Sequence, residues 1–229
     1  MKVSVLQFPG TNCEYDTKYA FEQLGCDVEI IWHKETKIPS DTELLVIPGG
    51  FSYGDYLRSG AIARFSPIMQ EVVAHANKGG YVMGICNGFQ ILGEADLVPG
   101  ALLHNNNQKF ICKNVFLKPE TNSTLITRHL DQNKAYKIPG AHGEGRYFAD
   151  DDTIKMLNDN EQVIFRYCDE NGTVADEFNP NGSVQNIAGV ANKNKNVFGM
   201  MPHPERAADS VLSNEDGKAM FESILNLVH

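Results

Sequence analysis

The sequence predicts an α/β protein built on a doubly wound, mainly parallel sheet with a β-rich second half. Short apolar runs alternate with helix-period segments through the first third of the chain. Pro-Gly and Gly-Gly steps punctuate those segments. Beyond residue 110, four β-type runs follow one another across turn signals. Strand–helix alternation requires crossover connections, and crossovers make a parallel sheet.

The run VSVLQF (3–8) is the first strand, stopped by Pro9-Gly10. Apolar spacing from Glu14 to Leu24 predicts a helix ending at Gly25. VEIIW (28–32) and ELLVI (43–47) are the next strands, the latter running into Pro48-Gly49-Gly50. Ser66-Pro67 is a cap and first-turn pair for a helix that stops at Gly79-Gly80. YVMGI (81–85) is the fourth strand, and the apolar run after Asn87-Gly88 has helical character. In the second half, 110–118, 163–168, 186–193 and 196–201 have strand patterns. DENG and NPNGS are the clearest turns, and EDGKAMFESILNLV (215–228) predicts a closing helix.

A chain of 229 residues with 42% hydrophobic and 21% charged residues can bury a core. No repeat or linker divides it, so one domain is expected over residues 1–229. A net charge of -9 disfavours nucleic acid and anionic membranes. The five cysteines, Cys13, Cys26, Cys86, Cys112 and Cys168, form no CxxC pair, which fits a reducing cytoplasm. No signal peptide is expected, and no apolar run approaches the roughly 20 residues of a membrane span.

The chemistry centres on Cys86, in GICNG. Sites on such sheets lie at the carboxyl ends of strands, where Cys86 falls. A glycine-flanked strand-to-helix elbow exposes a nucleophile, and the following helix directs positive partial charge toward the sulfur. The N–H of Asn87 is then placed to donate to an oxyanion. Free cysteines are more often small buried apolar groups, and Cys26 and Cys112 keep that assignment.

A thiol nucleophile needs a base and an orienter. His33 and His75 have no acidic partner in a suggestive context, His229 is terminal, and His104, His129 and His142 fall in expected loops. His203, in MPHPER, differs. Flanking prolines favour an extended segment, in which residues 203 and 205 point the same way. Glu205 can then hold one ring nitrogen of His203 while the other faces the thiol. A short helix opened by Pro204 is the competing possibility. The glycines after the third strand provide a second oxyanion donor, from Gly50 or Phe51.

In this order the pieces resemble the class I, triad-type glutamine amidotransferases. QFPGTNCE (7–14), PGGFSYGDYLRSGAIA (48–63), GICNGFQIL (84–92), AHGEGRY (141–147), NPNGS (179–183) and MPHPER (201–206) are similar, more narrowly, to the glutaminase subunits of phosphoribosylformylglycinamidine synthase. The resemblance implies a flavodoxin-like amidotransferase fold. It implies Cys86 as nucleophile, His203 as base and acid, Glu205 as orienter, and Gly50, Phe51 and Asn87 around the oxyanion. It places Gln90 and Gly49 against substrate glutamine. LLHNNNQKF is less typical of the family, so the loop Asn105–Lys109 has no assigned role.

The implied reaction needs no metal or cofactor in this chain: the thiolate attacks L-glutamine, ammonia leaves, and water releases glutamate. No G-x-x-x-x-G-K-[ST] loop is present. The resemblance therefore implies a separate synthetase subunit that uses ATP and Mg, with a small bridging subunit between them. Tyr53, Tyr56 and Arg58, with His142, Glu144, Arg146 and Tyr147, are candidate docking residues, since aromatics and arginine anchor interfaces. Competing readings are another cysteine hydrolase on this sheet, an amidotransferase serving a different synthetase, and a non-catalytic regulatory subunit. The first places its histidine soon after the nucleophile, the last lacks a triad member, and only the flanking motifs separate the second.

Overall fold

The structure, a computed structural model, describes residues 1–226. The last residues of the expected closing helix, with His229, lie outside the described residues. The chain runs β1 (Lys2–Gln7), α1 (Glu14–Glu22), β2 (Asp27–Trp32) and β3 (Leu44–Ile47). A loop with 3-10 turns at Ser52–Asp55 and Ala63–Phe65 leads to α2 (Ile68–Asn77), β4 (Tyr81–Ile85) and α3 (Asn87–Glu94). There follow β5 (Ala101–Leu103), β6 (Ile111–Pro119), β7 (Tyr136–His142), β8 (Arg146–Phe148) and α4 (Asp151–Asp159). The rest comprises β9 (Val163–Cys168), β10 (Ile187–Ala191), β11 (Val197–Met200) and α5 (Asp216–Leu225).

Nine strands form one sheet in the order β2-β1-β3-β4-β11-β10-β9-β6-β7, and β5 pairs with β8 in a small ribbon. Pairing is parallel from β2 to β11 and antiparallel from β11 to β7. The sheet is therefore mixed, and "mainly parallel" holds only for its first half. The cause lies in the connections: β10 returns to β11 through a short turn, without a crossover helix.

The inner parallel strands β1, β3, β4 and β11 are buried on both faces, which is why they read as apolar runs, whereas the edge strand β2 is only partly buried. All four residues of β3 are fully buried. Each such side chain contributes roughly 1.5–3 kcal/mol relative to exposure. One hydrophobic cluster extends from Val3 to Ile224 and spans both halves.

Four elements escaped the sequence reading: the short strands β5 and β8, strand β7 and helix α4. Strand β7 contains Pro139, which masks its pattern; Pro is tolerated there because β7 is the sheet's edge. His142 accordingly ends a strand instead of lying in a loop. Helix α4 carries a legible start: the Asp150 side chain accepts the Thr153 N–H at 2.7 Å.

Candidate active site

Strands β4 and β11 are neighbours, with Met200 paired to Ile85. Their carboxyl ends therefore deliver Cys86 and the segment before His203 to one crevice. Cys86 sits between β4 and α3 with φ 50 and ψ -105. A non-glycine residue in that region stores about 1–3 kcal/mol of strain. Its N–H donates to Met200 O (2.8 Å) and its carbonyl accepts from Gln90 N (3.1 Å), so both sides of the elbow are held. The flanking glycines follow from crowding. A Cβ on Gly84 would press on Gly88 backbone at 2.8 Å, and one on Gly88 would overlap the Ile47 carbonyl. Cys86 is 5% exposed and its thiol donates to Ala141 O at 3.6 Å.

His203 and Glu205 are each 2% exposed. The His203 Nδ1 and Glu205 Oε1 lie 2.6 Å apart, as expected for an oriented base. The local backbone differs from expectation: Pro204–Ala207 is a 3-10 turn, so Glu205 is not in an extended segment. Pro204 fits the first position of that turn, and two residues of tight helix still bring the carboxylate back to the ring. His203 Nε2 is buried and has no hydrogen-bond partner among the described residues. Burial opposes the imidazolium, but the carboxylate of Glu205 and the sulfurs of Cys86 and Cys13 outweigh it and hold His203 well above the ordinary histidine range. The Cys86 sulfur is thus close enough to bias the ring, although the pair falls short of hydrogen-bond geometry.

Cys13, to which the sequence assigns no role, also lies against the imidazole. Its sulfur is 4.0 Å from His203 Nδ1 and accepts from Arg206 Nη2 at 2.9 Å. Cys13, His203 and Glu205 bring three donor atoms within 4.8 Å of one another. The Arg206 guanidinium on the sulfur puts positive charge where a metal cation would sit. Gly49 leaves room for the imidazole: a Cβ there would meet His203 Cε1 at 2.7 Å.

Of the two N–H groups after β3 expected to face an oxyanion, that of Phe51 is engaged elsewhere. Phe51 N–H already donates to Gly10 O (2.9 Å). Gly50 lies in the isolated bridge opposite Thr11, whose hydrogen bonds come from the residues on either side. Gly50 has φ 140 and a Cβ there would meet Asn12 N at 2.7 Å, so only glycine fits. The Asn87 side chain ties this loop to the elbow, its Oδ1 accepting Ser52 N–H at 3.0 Å.

A cavity of about 130 Å³ opens beside the thiol. Gly50, Phe51, Cys86 and Gln90 line it, together with Asp55, His104, Phe110 and Glu144, four residues the sequence reading did not place there. Asp55 had a signal, a lone carboxylate in a Gly-containing loop after a strand. The Asn105–Lys109 loop acquires a structural role. Asn105 is fully buried and its side chain binds Lys109 O, His142 O, His142 Nδ1 and Gly145 N–H.

The docking residues divide. Tyr56 is 74% exposed, and Arg58 projects outward on Glu94. Tyr53 is tied to His33 and Ser66, and Arg146 to His104 O. Glu144 faces the cavity. His142 and Tyr147 are corrections: both are buried, and Tyr147 stacks on Phe89 while donating to Pro99 O. Neither can meet a partner. Cys112 is a correction of the opposite kind, since it is exposed. Cys168 is buried, with its thiol pushed up to about 12 by desolvation and by Asp169.

Burial, and secondarily His203, lower the His142 pKa to about 4. The fold accepts the neutral ring, so its stabilisation is complete above pH 6.5 and is lost as pH falls toward 4. The loss amounts to about 3 kcal/mol. Urea titrations of the native protein and of His142→Gln across this window should show the steeper acid loss in the native protein. Parallel slopes would refute the assignment.

Residues 1–225 match the model of the CobB/CobQ-like glutamine amidotransferase domain. The chain is 54% identical over 225 residues to phosphoribosylformylglycinamidine synthase subunit PurQ of Sulfurimonas denitrificans, covering 98% of this chain and 99% of that one. It is 51% identical to the subunit of the same name from Campylobacter jejuni, over 98% of this chain and 96% of that one. It superposes on a chain in the structure of PurLQS from Thermotoga maritima with TM-score 0.86 and 43% identity, covering 100% of this chain and 99% of the other. Among the described residues no helix is long and apolar enough to cross a membrane. An elbow thiol and an oriented imidazole at adjacent strand ends are what such a domain requires, and with this degree of identity along nearly its whole length the chain belongs to the glutamine amidotransferases, in the family of phosphoribosylformylglycinamidine synthase subunit PurQ.

Proposed function

We propose that this chain is the cytoplasmic glutaminase subunit of a phosphoribosylformylglycinamidine synthase. In this reading it hydrolyses L-glutamine through Cys86, His203 and Glu205 and passes the ammonia to a synthetase subunit. That partner would use ATP and Mg to convert phosphoribosylformylglycinamide to its amidine, with a small bridging subunit in the complex. The carrying observation is the elbow: Cys86 held in left-handed conformation at the end of β4, beside the strand that delivers His203.

The steps follow from the geometry. Transfer of the thiol proton to His203 Nε2 gives a thiolate, which attacks the amide carbon of glutamine. The oxyanion meets the N–H groups of Gly50 and Asn87. His203 returns its proton to nitrogen as ammonia departs, leaving a γ-glutamyl thioester on Cys86. Water, deprotonated by the same ring, releases glutamate and restores the thiol. Glu205 keeps Nδ1 protonated, so that Nε2 is free to act as base.

Glutamate release from glutamine, measured on the purified chain alone and with its synthetase and nucleotide substrate, tests the coupling. Release should rise in the complex. No release in any mixture, with the partner shown to bind, would favour a regulatory subunit. Glu205→Gln should lower kcat by about 10³–10⁴ with KM little changed, because the ring loses its orienter and its preferred tautomer. An unchanged kcat would remove Glu205 from the assignment.

A further inference from the structure

The cavity beside Cys86 has a wall that the steps above do not use. Asp55, from the loop after β3, and Glu144, from the loop after β7, approach it from different elements. Asp55 is held in left-handed conformation, φ 55, and its carboxylate faces Asn87 Nδ2 at 3.5 Å and the Ser59 side chain. Glu144 accepts the Ser59 N–H at 3.1 Å. Among the described residues no lysine or arginine lines the cavity. The nearby cations are engaged elsewhere: Arg58 forks onto Glu94 (2.5 and 2.7 Å), and Arg206 lies on Cys13. His104, 3.6 Å from Glu144, is exposed, and His142 is held neutral by burial. Two carboxylates thus share a small cavity with a nucleophile and lack a committed positive partner.

Both are also tied to the nucleophile's own helix. Asn87 Nδ2 donates to Gln90 Oε1 at 2.9 Å, and Gln90 Nε2 donates to Glu144 O at 2.5 Å. These bonds fix the Asp55 carboxylate and the Glu144 backbone relative to residues one and four places after Cys86. Gln90, expected to contact substrate, spends both ends of its amide as a strut in this chain.

We infer that Asp55 and Glu144 receive the α-ammonium group of glutamine, so that the enzyme selects an amino acid over a simple primary amide. The inference rests on the glutaminase reading above. An ammonium presents three donors and one compact charge, and two acceptor-only carboxylates complement it. Burial, reinforced by Glu144 and partly opposed by Ser59, raises the Asp55 pKa to about 6. A neighbouring cation would relieve that penalty. Capture of glutamine should accordingly weaken as pH falls through 6 and Asp55 takes up a proton.

The test is ammonia release by the chain in its synthetase complex, from L-glutamine and from glutaramate, which keeps the amide and carboxylate but lacks the α-amino group. The native complex should prefer glutamine strongly. Asp55→Asn and Glu144→Gln should each lower kcat/KM for glutamine about 10- to 100-fold, the range for a charge-assisted hydrogen bond, and leave glutaramate turnover nearly as it was. The acid rise in KM for glutamine should disappear in Asp55→Asn. Retention of the native glutamine-to-glutaramate ratio in both variants would overturn the inference. Should Asp55→Asn lose both substrates through misfolding, the ratio in Glu144→Gln decides. A native complex that releases ammonia from neither compound defeats the glutaminase reading and this inference with it.

Discussion

Cys86→Ala should abolish glutamate release, with kcat falling by about 10⁶. Removing the nucleophile of a triad costs nearly as much as removing the whole triad, because base and orienter have nothing left to activate. The substitution leaves the fold in place, since alanine is smaller and the thiol's hydrogen bond to Ala141 O is long. It also discriminates between the thiols at the site. Cys13 lies near the same imidazole, yet no strand-to-helix elbow presents it, and Arg206 occupies its sulfur. Glutamate release by the native protein, by Cys86→Ala and by Cys13→Ala checks this. Activity surviving in Cys86→Ala and vanishing in Cys13→Ala would move the nucleophile to Cys13. Intact-mass detection of a γ-glutamyl adduct on the native chain, absent from Cys86→Ala, gives the same answer independently.

Gly88→Ala should destabilise the fold itself. The added methyl would overlap the carbonyl of Ile47, a backbone atom of the buried strand β3 that cannot turn away. Relief requires α3 to lift from the sheet, and α3 carries Phe89, Ile91 and Leu92 in the core. Overpacking of this kind typically costs 1–3 kcal/mol, and a contact against backbone belongs at or beyond the upper end, about 3 kcal/mol or more. A fall in the urea midpoint with unchanged slope would report it. A midpoint equal to that of the native protein would show that the helix can shift freely. Activity should fall further than stability, because the same helix fixes Asn87 and the elbow.

Most of the parallel half was legible because its inner strands are buried on both faces and helices α1 and α2 stop just before a glycine. The elbow was legible for a related reason: GICNG states its crowding in its composition. The antiparallel half was harder. Pro139 breaks the pattern of β7, and the partner of each strand depends on contacts far along the chain. His203 and Glu205 were found from their proline frame, although the frame folds into a 3-10 turn and not an extended segment. That turn was the competing possibility: X-Pro restrains the residue before proline, whereas Pro204 itself opens the helix. Phe51 was misread as a donor because its bond to Gly10 O spans 41 residues, and no local pattern reveals it. Tyr147 and His142 were misread as surface residues because AHGEGRY has a loop-like composition, while β7 and β8 carry its two ends inward. Asp55 and Cys13 acquire meaning only from what the fold sets opposite them.

The position of β11 has a consequence for the timing of activity during synthesis. This strand comes late in the chain, yet it inserts between β4 and β10, in the middle of the sheet. A nascent chain that has emerged only through β10 already carries the thiol of Cys86, but lacks the backbone carbonyl of Met200 that holds the elbow and lacks His203 altogether. Such a chain cannot consume glutamine. The last described strand is the one that leads to the base, so copies terminated before His203 are silent by construction and do not release ammonia into the cell.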